Sequence, residues 1–262
     1  MTGTGRRLYG EAAGPRPLWR LDAGRTLFVG PLDYNAPHEH GAPVFLSSLG
    51  APFGLRLDGA GEWLSCHAAM VPAGRVHELQ VGGEPIAVLY VEPTLAGAHV
   101  FTPLLADSEE IGGALVGRSN IIPLVRALYE DDASLGWTDA ALDDLLAFGG
   151  ARSRRTIDPR IARVAAALAQ ASDAAPDLSA LAPIANLSAS RLRRLFAEEI
   201  GASFSRYRAW LRMRRAIDAV IAGGNFTAAA HEAGFADQAH FAHDFRRTFG
   251  APASRSLTGV RR

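Results

Sequence analysis

The sequence predicts an α+β chain with a β-barrel in its first part and an all-α domain in its last part. Short apolar runs separated by Gly, Pro and Asp fill residues 20–93, which is typical of strands joined by tight turns. From about residue 121 apolar residues recur every three or four positions, which is typical of helices. A helix-turn-helix pattern then occurs twice, over 178–196 and 227–245. The chain is thus divided into three predicted segments: 1–148, a linker at 149–157, and 158–262.

The barrel is predicted from strand-like runs at 26–29, 44–49, 53–57 and 86–91. Residues 54–61 alternate apolar and polar around Asp-Gly, which is typical of a hairpin. Several short strands with Gly and Pro turns favour a small barrel or a jelly roll.

Two apolar stripes predict a helical pair at about 121–148. The stripes consist of Ile121, Leu124, Val125 and Leu128, and of Leu142, Leu145, Leu146 and Phe148. Such amphipathic helices either cap the barrel rim or pair with a second subunit, and we expect a homodimer.

Composition limits where the protein acts. No apolar run approaches the roughly 20 residues that span a bilayer, so we expect no membrane partner. The first 14 residues contain no signal-peptide pattern. Cys66 is the only cysteine, which excludes an internal disulfide and suits a reducing compartment. We therefore expect a cytoplasmic protein.

The net charge of zero conceals an asymmetry. Residues 1–150 carry 9 arginines and 18 acidic residues, whereas residues 151–262 carry 18 arginines and 9 acidic residues. A basic half joined to an acidic half is what phosphate binding by one domain requires, although solvated charge can also partition by chance.

The first helix-turn-helix unit carries a basic second helix. Ser188 is placed to cap this helix, and Leu192 points inward. The opposite face holds our candidates for DNA base contacts: Ser190, Arg193 and Arg194. Arginine bonds guanine in a bidentate manner, while Arg191 lies to the side and suits a phosphate. Pro183 predicts a kink or a short helix before this unit's turn.

The second unit turns at Gly234, and Asp237 is placed to cap its second helix. An inward row of phenylalanines leaves four candidates for base contacts facing outward: Gln238, Ala239, His240 and His243. Arg246 and Arg247 suit phosphates. For His240 the alternative is a partly buried packing role.

A single helix is predicted between the units, over 204–222. Its length would be roughly 28 Å. Neighbouring major grooves on one face of DNA are about 34 Å apart. The helix would therefore hold two reading helices in successive grooves, with a modest DNA bend.

Residues 157–255 resemble the AraC/XylS family of bacterial transcription regulators. The resemblance rests on L-S-A-S-R-L-R-R-L-F, on E-E-I-G-A-S-F-S-R-Y-R-A-W-L-R-M-R-R-A and on A-A-H-E-A-G-F-A-D-Q-A-H-F-A-H-D-F-R-R-T-F-G. It implies a transcription factor, typically an activator, that binds a double-stranded DNA operator and contacts RNA polymerase. The family's groove-reading positions fall on Ser190, Arg193 and Arg194, then on Gln238, Ala239 and His243.

Three departures from the family pattern are visible. Pro183 interrupts the first helix, the proline after Phe249 is shifted by one residue, and His243 stands where family members usually have Arg. The last departure predicts weaker binding by the second unit. Activation and repression are not distinguished by these residues.

Two histidine segments mark the predicted barrel. Pro37-His38-Glu39-His40 and Pro72-Ala73-Gly74-Arg75-Val76-His77 resemble the two cupin motifs, and cupin-like sensor domains commonly precede this DNA-binding domain. The cupin pattern expects Glu where Val44 or Phe45 stands. We therefore expect no cofactor, with His38, His40 and His77 lining a small-molecule effector pocket. Metal binding by the three imidazoles is the alternative.

The sequence thus predicts an effector-controlled regulator and no catalytic residues. Effector binding would change how the helical pair packs on the DNA-binding half or on a second subunit. A metal-dependent cupin enzyme with a DNA-binding tail and a constitutive regulator whose barrel only dimerises are the competing classes.

Overall fold

The computed structural model describes residues 15–22, 24–95, 98–152, 157–171 and 176–261. Its first part is rich in strands and its last part is helical, which confirms the predicted α+β class. The strands are β1 (Leu18–Leu21), β2 (Arg25–Pro31), β3 (Tyr34–His38), β4 (Val44–Ser48), β5 (Phe53–Leu57), β6 (Leu64–Cys66), β7 (Ala68–Val71), β8 (His77–Gln80), β9 (Pro85–Val91), β10 (Leu105–Ile111) and β11 (Ala114–Ser119).

The strands form two antiparallel sheets that share a core. The larger sheet has the order β1-β2-β9-β4-β7-β11-β10, and the smaller has the order β3-β8-β5-β6. Val44 and Leu46 of the larger sheet belong to the same buried cluster as Phe53 and Leu55 of the smaller sheet. The hairpin expected at Asp-Gly joins β5 to β6, with Asp58 and Gly59 at positive φ.

A helical pair covers the other face of the larger sheet. It consists of α1 (Ile122–Glu130) and α2 (Thr138–Gly150). Because side chains alternate along a strand, Phe45 points away from Val44 and joins a second cluster with Val125 and Leu142. The pair therefore packs on the sheet face opposite the smaller sheet.

The last part of the chain contains α3 (Pro159–Gln170), α4 (Leu178–Ala185), α5 (Ala189–Ile200), α6 (Phe204–Ile221), α7 (Phe226–Glu232), α8 (Gln238–Phe249) and α9 (Ala253–Ser256). Asp158 caps α3, and Pro159 is its first residue. Pro183 lies inside α4, which is short, with 8 residues. Asn186 and Gly234 turn the two units in the left-handed conformation.

The end of the chain returns to β1. Leu18 forms a parallel bridge with Arg261, whose carbonyl accepts from the Trp19 amide at 3.2 Å. The Arg261 guanidinium is buried and donates to the Leu128 carbonyl at 3.1 Å, at the end of α1. Trp19 Nε1 donates to the Ser256 carbonyl at 2.6 Å. We call these contacts the terminal strap.

Two features differ from the predicted segments. The larger sheet continues beyond residue 93 into β10 and β11, which the sequence did not indicate. Gly149 and Gly150, assigned to the predicted linker, end α2, and residues 153–156 lie outside the described residues. Within the described ranges no helix is long and apolar enough to cross a bilayer.

Candidate nucleic-acid interface and effector pocket

α5 presents the first set of predicted DNA contacts. The Ser188 hydroxyl caps the helix by accepting from the Arg191 amide at 3.3 Å. Three apolar residues face the core: Leu192, Phe196 and Ile200. The predicted base contacts Ser190, Arg193 and Arg194 are all exposed, as is Arg191. Arg194 Nε lies 3.5 Å from Glu198 Oε1, an exposed pair that contributes little and leaves the guanidinium free to reorient.

α8 presents the second set. The Asp237 carboxylate caps it by accepting from the His240 amide at 2.7 Å. Its inner face is formed by Phe241, Phe245 and Phe249. The outer face exposes five of the predicted residues: Gln238, Ala239, His243, Arg246 and Arg247. The two outer faces thus expose most of the side chains that the sequence predicts to contact DNA, and the DNA contacts stay a prediction.

His240 differs from the other predicted base contacts because it is half-buried. Its ring meets Phe235 edge-on, with centroids 5.2 Å apart, and its Nδ1 accepts from the Ala236 amide at 3.3 Å. These contacts support the packing role that the sequence left open. A base contact by His240 stays a prediction.

Asp244 is a buried acid on α8 that the sequence did not single out. Its carboxylate accepts from Arg212 Nη2 of α6 at 2.9 Å and lies 3.5 Å from Arg247 Nη2. Arg212 also lies over the ring of Phe235, at 4.4 Å from its centroid. This cluster fixes the angle between the connecting helix and the second reading helix.

α6 also docks on the β domain through a buried acid, Glu92. Its carboxylate accepts from Tyr207 Oη at 2.8 Å, Trp210 Nε1 at 2.8 Å and Arg214 Nη1 at 2.7 Å. Arg214 Nε donates in addition to Thr26 Oγ1 at 3.0 Å. The connecting helix is therefore held by the first half of the chain as well as by the two reading units.

The reading helix α8 is attached to the smaller sheet at its C-terminal end. Asn35 Nδ2 donates to the Phe249 carbonyl at 2.7 Å, and the Ala36 amide donates to the Gly250 carbonyl at 2.9 Å. Gly250 caps α8 with φ +71°, and a Cβ there would collide with Ala36 and His38. Glycine is therefore required for this close approach.

A pocket of about 260 Å³ lies between the two halves of the chain. Its β-domain wall includes Trp19, Phe28, Leu46, Leu79, Val88 and Tyr90, and its helical wall includes Phe245, Phe249 and Ala251. Asp33 and Arg255 also line it, and both side chains are more than half exposed. His38, His40 and His77 line its buried end, so the structure brings together the three histidines that the sequence selected.

Strand pairing explains why the histidines meet. His38 ends β3 and lies opposite His77, the first residue of β8. His40 follows two residues later, and its ring centroid is 4.8 Å from that of His38 and 5.1 Å from that of His77. Burial lowers the pKa of all three imidazoles, well below the usual value for His38 and His40 and to about 4 for His77. All three are therefore neutral at physiological pH.

Several contributors to these sites were not identified from the sequence. Tyr207, Trp210 and Arg214 recur on one side of α6, and this spacing could have indicated a second buried face. Glu92 and Asp244 carry no such signal, because an isolated acid reads as a surface residue until its partners are known.

Comparisons with known proteins identify a helix-turn-helix domain and a shared fold. Residues 181–258 match the family model described as a helix-turn-helix domain. No sequence match to a curated protein was found. The chain is similar to the structure of unsaturated fatty acid bound ToxT from Vibrio cholerae, with 13% identity, a TM-score of 0.60, and coverage of 91% of this chain and 96% of that chain.

A second ToxT structure, bound to (E)-4-(8-methylnaphthalen-1-yl)but-3-enoic acid, has 12% identity, a TM-score of 0.60 and coverage of 89% and 98%. A transcriptional regulator with an AraC-type DNA-binding domain, from Chromobacterium violaceum, covers 38% of this chain and 89% of its own, with 20% identity and a TM-score of 0.36. The protein thus has the two-domain fold of ToxT, and its residues 181–258 form a helix-turn-helix domain.

Proposed function

We propose that this protein is a transcription regulator whose DNA binding is controlled by a small apolar effector in the pocket between its halves. The observation that carries the proposal is the composition of the pocket wall. Val88 and Tyr90 come from the β domain, whereas Phe245 and Phe249 form the inner face of the second reading helix. An occupant would therefore contact the back of the helix whose front meets DNA.

The effector class follows from the same walls. The pocket is mostly apolar and close to the lower limit of about 300 Å³ for ligand pockets, which favours a compact apolar molecule. The ligands in the two ToxT structures are both carboxylic acids that carry a large apolar group. We therefore propose a medium-length apolar carboxylate.

Control requires the effector to bind two states of the protein with different affinity. The sequence assigned the transmission to the helical pair, but the pocket is lined by α8 and the segment after it. We propose that the effector acts on the reading helix directly, by changing the docking of Phe249 and Gly250 on the smaller sheet.

Partners and location complete the proposal. An AraC-type domain supports a DNA operator as the main partner, and the exposed face of the helical pair, where Phe148 is 44% exposed, suits a homodimer contact. Contact with RNA polymerase, action in the cytoplasm and the lack of catalysis follow from the same regulatory role.

Decanoate provides a direct test. Binding of the full chain to its selected operator is measured by fluorescence anisotropy with and without decanoate, for the wild type and for Val88→Phe, which fills the pocket. Val116→Phe adds the same bulk on β11, outside the pocket lining, and serves as the control. We expect decanoate to change the operator affinity of the wild type and the control but not that of Val88→Phe. Equal responses of all three would refute the pocket as the effector site.

A further inference from the structure

The buried end of the pocket contains a convergence of imidazole nitrogens. One ring nitrogen from each of His38, His40 and His77 lies within 4.8 Å of the other two. Two nitrogens in this cluster, His40 Nδ1 and His77 Nε2, are buried and have no hydrogen-bond partner in the protein. Buried polar atoms without partners are rare in native proteins, so this arrangement requires an explanation.

Hydrogen bonds to backbone carbonyls fix which nitrogen carries the lone pair in two of the three rings. His38 Nδ1 lies 2.8 Å from the Ala36 carbonyl and His77 Nδ1 lies 2.9 Å from the Arg75 carbonyl. A carbonyl only accepts, so both Nδ1 atoms carry the proton, and both Nε2 atoms carry the lone pair.

His40 is oriented in the opposite sense. Its Nε2 lies 3.2 Å from Tyr90 Oη, and with this nitrogen as donor the lone pair is on Nδ1. A histidine whose second nitrogen is tied to a carbonyl or hydroxyl is the usual arrangement of a metal ligand. With the His40 ring in this tautomer, each of the three rings has one unprotonated nitrogen that can bind an ion, and one nitrogen of each ring lies within 4.8 Å of the other two.

We propose that His38, His40 and His77 bind a divalent first-row transition metal, and that the effector's carboxylate completes its coordination. Neutral imidazoles suit zinc, iron, nickel and copper ions, and three protein ligands leave a position open. Nitrogens about 2.0–2.1 Å from a zinc ion would approach one another to about 3.4 Å. To bind the ion, the three nitrogens would have to approach one another from separations of up to 4.8 Å to about 3.4 Å.

Charge explains why an anionic effector fits this site. Three neutral imidazoles leave the ion's two positive charges uncompensated, in an end of the pocket whose neighbours are the aromatic rings of Tyr90, Trp210 and Phe249. A buried charge needs a partner, and among the described residues no carboxylate belongs to this histidine cluster. A carboxylate that enters with an apolar tail supplies the missing charge. This second part of the inference rests on the proposed function.

The metal site also touches the DNA-binding half. The His40 ring lies 5.6 Å from the Phe249 ring and 6.0 Å from that of Trp210, measured between centroids. His38 lies two residues after Ala36, whose amide donates to the Gly250 carbonyl. Closure of the three rings on an ion would thus act on the C-terminal end of the second reading helix.

The first experiment uses the metal alone. The full chain is treated with a chelator, exchanged into metal-free buffer and titrated with Co²⁺, whose visible absorption reports four-coordinate nitrogen ligation. We expect one ion per chain, and at least 100-fold weaker binding in His77→Gln. His99→Gln removes an exposed histidine outside the cluster and should bind like the wild type.

A second measurement covers the case in which His77→Gln does not fold. X-ray absorption at the zinc edge of the zinc-loaded wild type should show at least three imidazole nitrogens at about 2.0–2.1 Å. A shell of oxygen atoms, or equal Co²⁺ affinity of the wild type and a folded His77→Gln, would overturn the metal site.

Decanoate then separates this inference from the proposed function. A shift of the bound Co²⁺ spectrum on addition of decanoate supports coordination by the carboxylate. If decanoate changes operator affinity in the presence of a chelator and Co²⁺ does not bind, the metal inference fails and the proposed function stands. If Co²⁺ binds and decanoate alters neither its spectrum nor the operator affinity, the metal site is supported, while the carboxylate's place and the proposed function are overturned.

Discussion

Arg194 is an exposed arginine of α5 that the sequence predicts to contact a guanine edge. It forms an ion pair with Glu198 on the same exposed surface, so DNA can displace this pair at little cost. We expect Arg194→Ala to lose about 1–3 kcal/mol on the preferred operator and to relax base choice at one position. Anisotropy titrations on the operator and its single-base variants measure both effects. An equal loss on random DNA would contradict the assignment.

Arg246 of α8 is exposed and near the end of its helix, where a phosphate is the expected partner. We expect Arg246→Ala to weaken all DNA sequences by a similar factor and to reduce the slope of affinity against salt by about one. Arg163→Ala removes an equally exposed charge from α3, outside both units, and serves as the control. A loss confined to the operator would show that Arg246 contacts a base.

Single residues were predictable from the sequence where their role depends on neighbours in the chain. Ser188 and Asp237 cap helices because each lies just before an apolar helical repeat, and the predicted caps are present. Asp244 and Glu92 were not identified, because burial of an acid depends on arginines that only folding brings near. The DNA contacts themselves stay predictions.

Gly250, which ends α8, lies close against the β domain, and a substitution at this position tests that close approach. Gly250→Ala would place a Cβ against Ala36 and His38, whereas Gly234→Ala adds a Cβ with open space around it. Both positions have positive φ, so both substitutions carry the same backbone strain of roughly 1 kcal/mol. We expect Gly250→Ala to lower the thermal midpoint further than Gly234→Ala. Equal midpoints would indicate that α8 does not approach the smaller sheet so closely.

Strands and helices were predictable to different extents. The strands β4 and β9 were found as apolar runs, β5 was found next to an alternating hairpin pattern, and the helices were found from their periodicity. β10 was missed because Leu105–Ile111 is acidic and largely exposed, at the edge of the larger sheet, and pairs only with β11. Such an edge strand has no apolar alternation to read.

The Glu92 cluster is one of the contacts that hold the two halves of the molecule together. Glu92→Gln leaves the buried Arg214 without its counter-charge, and breaking a buried pair in this way costs about 3–5 kcal/mol. We expect calorimetry to show one unfolding transition for the wild type and two separate transitions for the variant. Glu84→Gln, at an exposed position, should retain the wild-type transition. A single, unshifted transition in Glu92→Gln would show that the cluster does not hold the halves.

The fold class was predictable because each half carries its own repeating pattern. The contact between the halves was not, since its partners lie 115 to 122 residues apart and no local pattern links them. The effector pocket belongs to this contact. Its histidines were found from their motif, while Phe245 and Phe249 were read only as the inner face of a helix.

The terminal strap bears on whether the two halves stay associated when the backbone between them is cleaved. Arg261 and Trp19 close the end of the chain onto its first strand, so the halves remain joined without the peptide between them. A protease site engineered at 153–156 should therefore yield two fragments that elute together in gel filtration. The covalent connection would serve mainly to raise the effective concentration of one half near the other while they assemble. Once they have assembled, the two halves should stay associated after the backbone between them is cleaved.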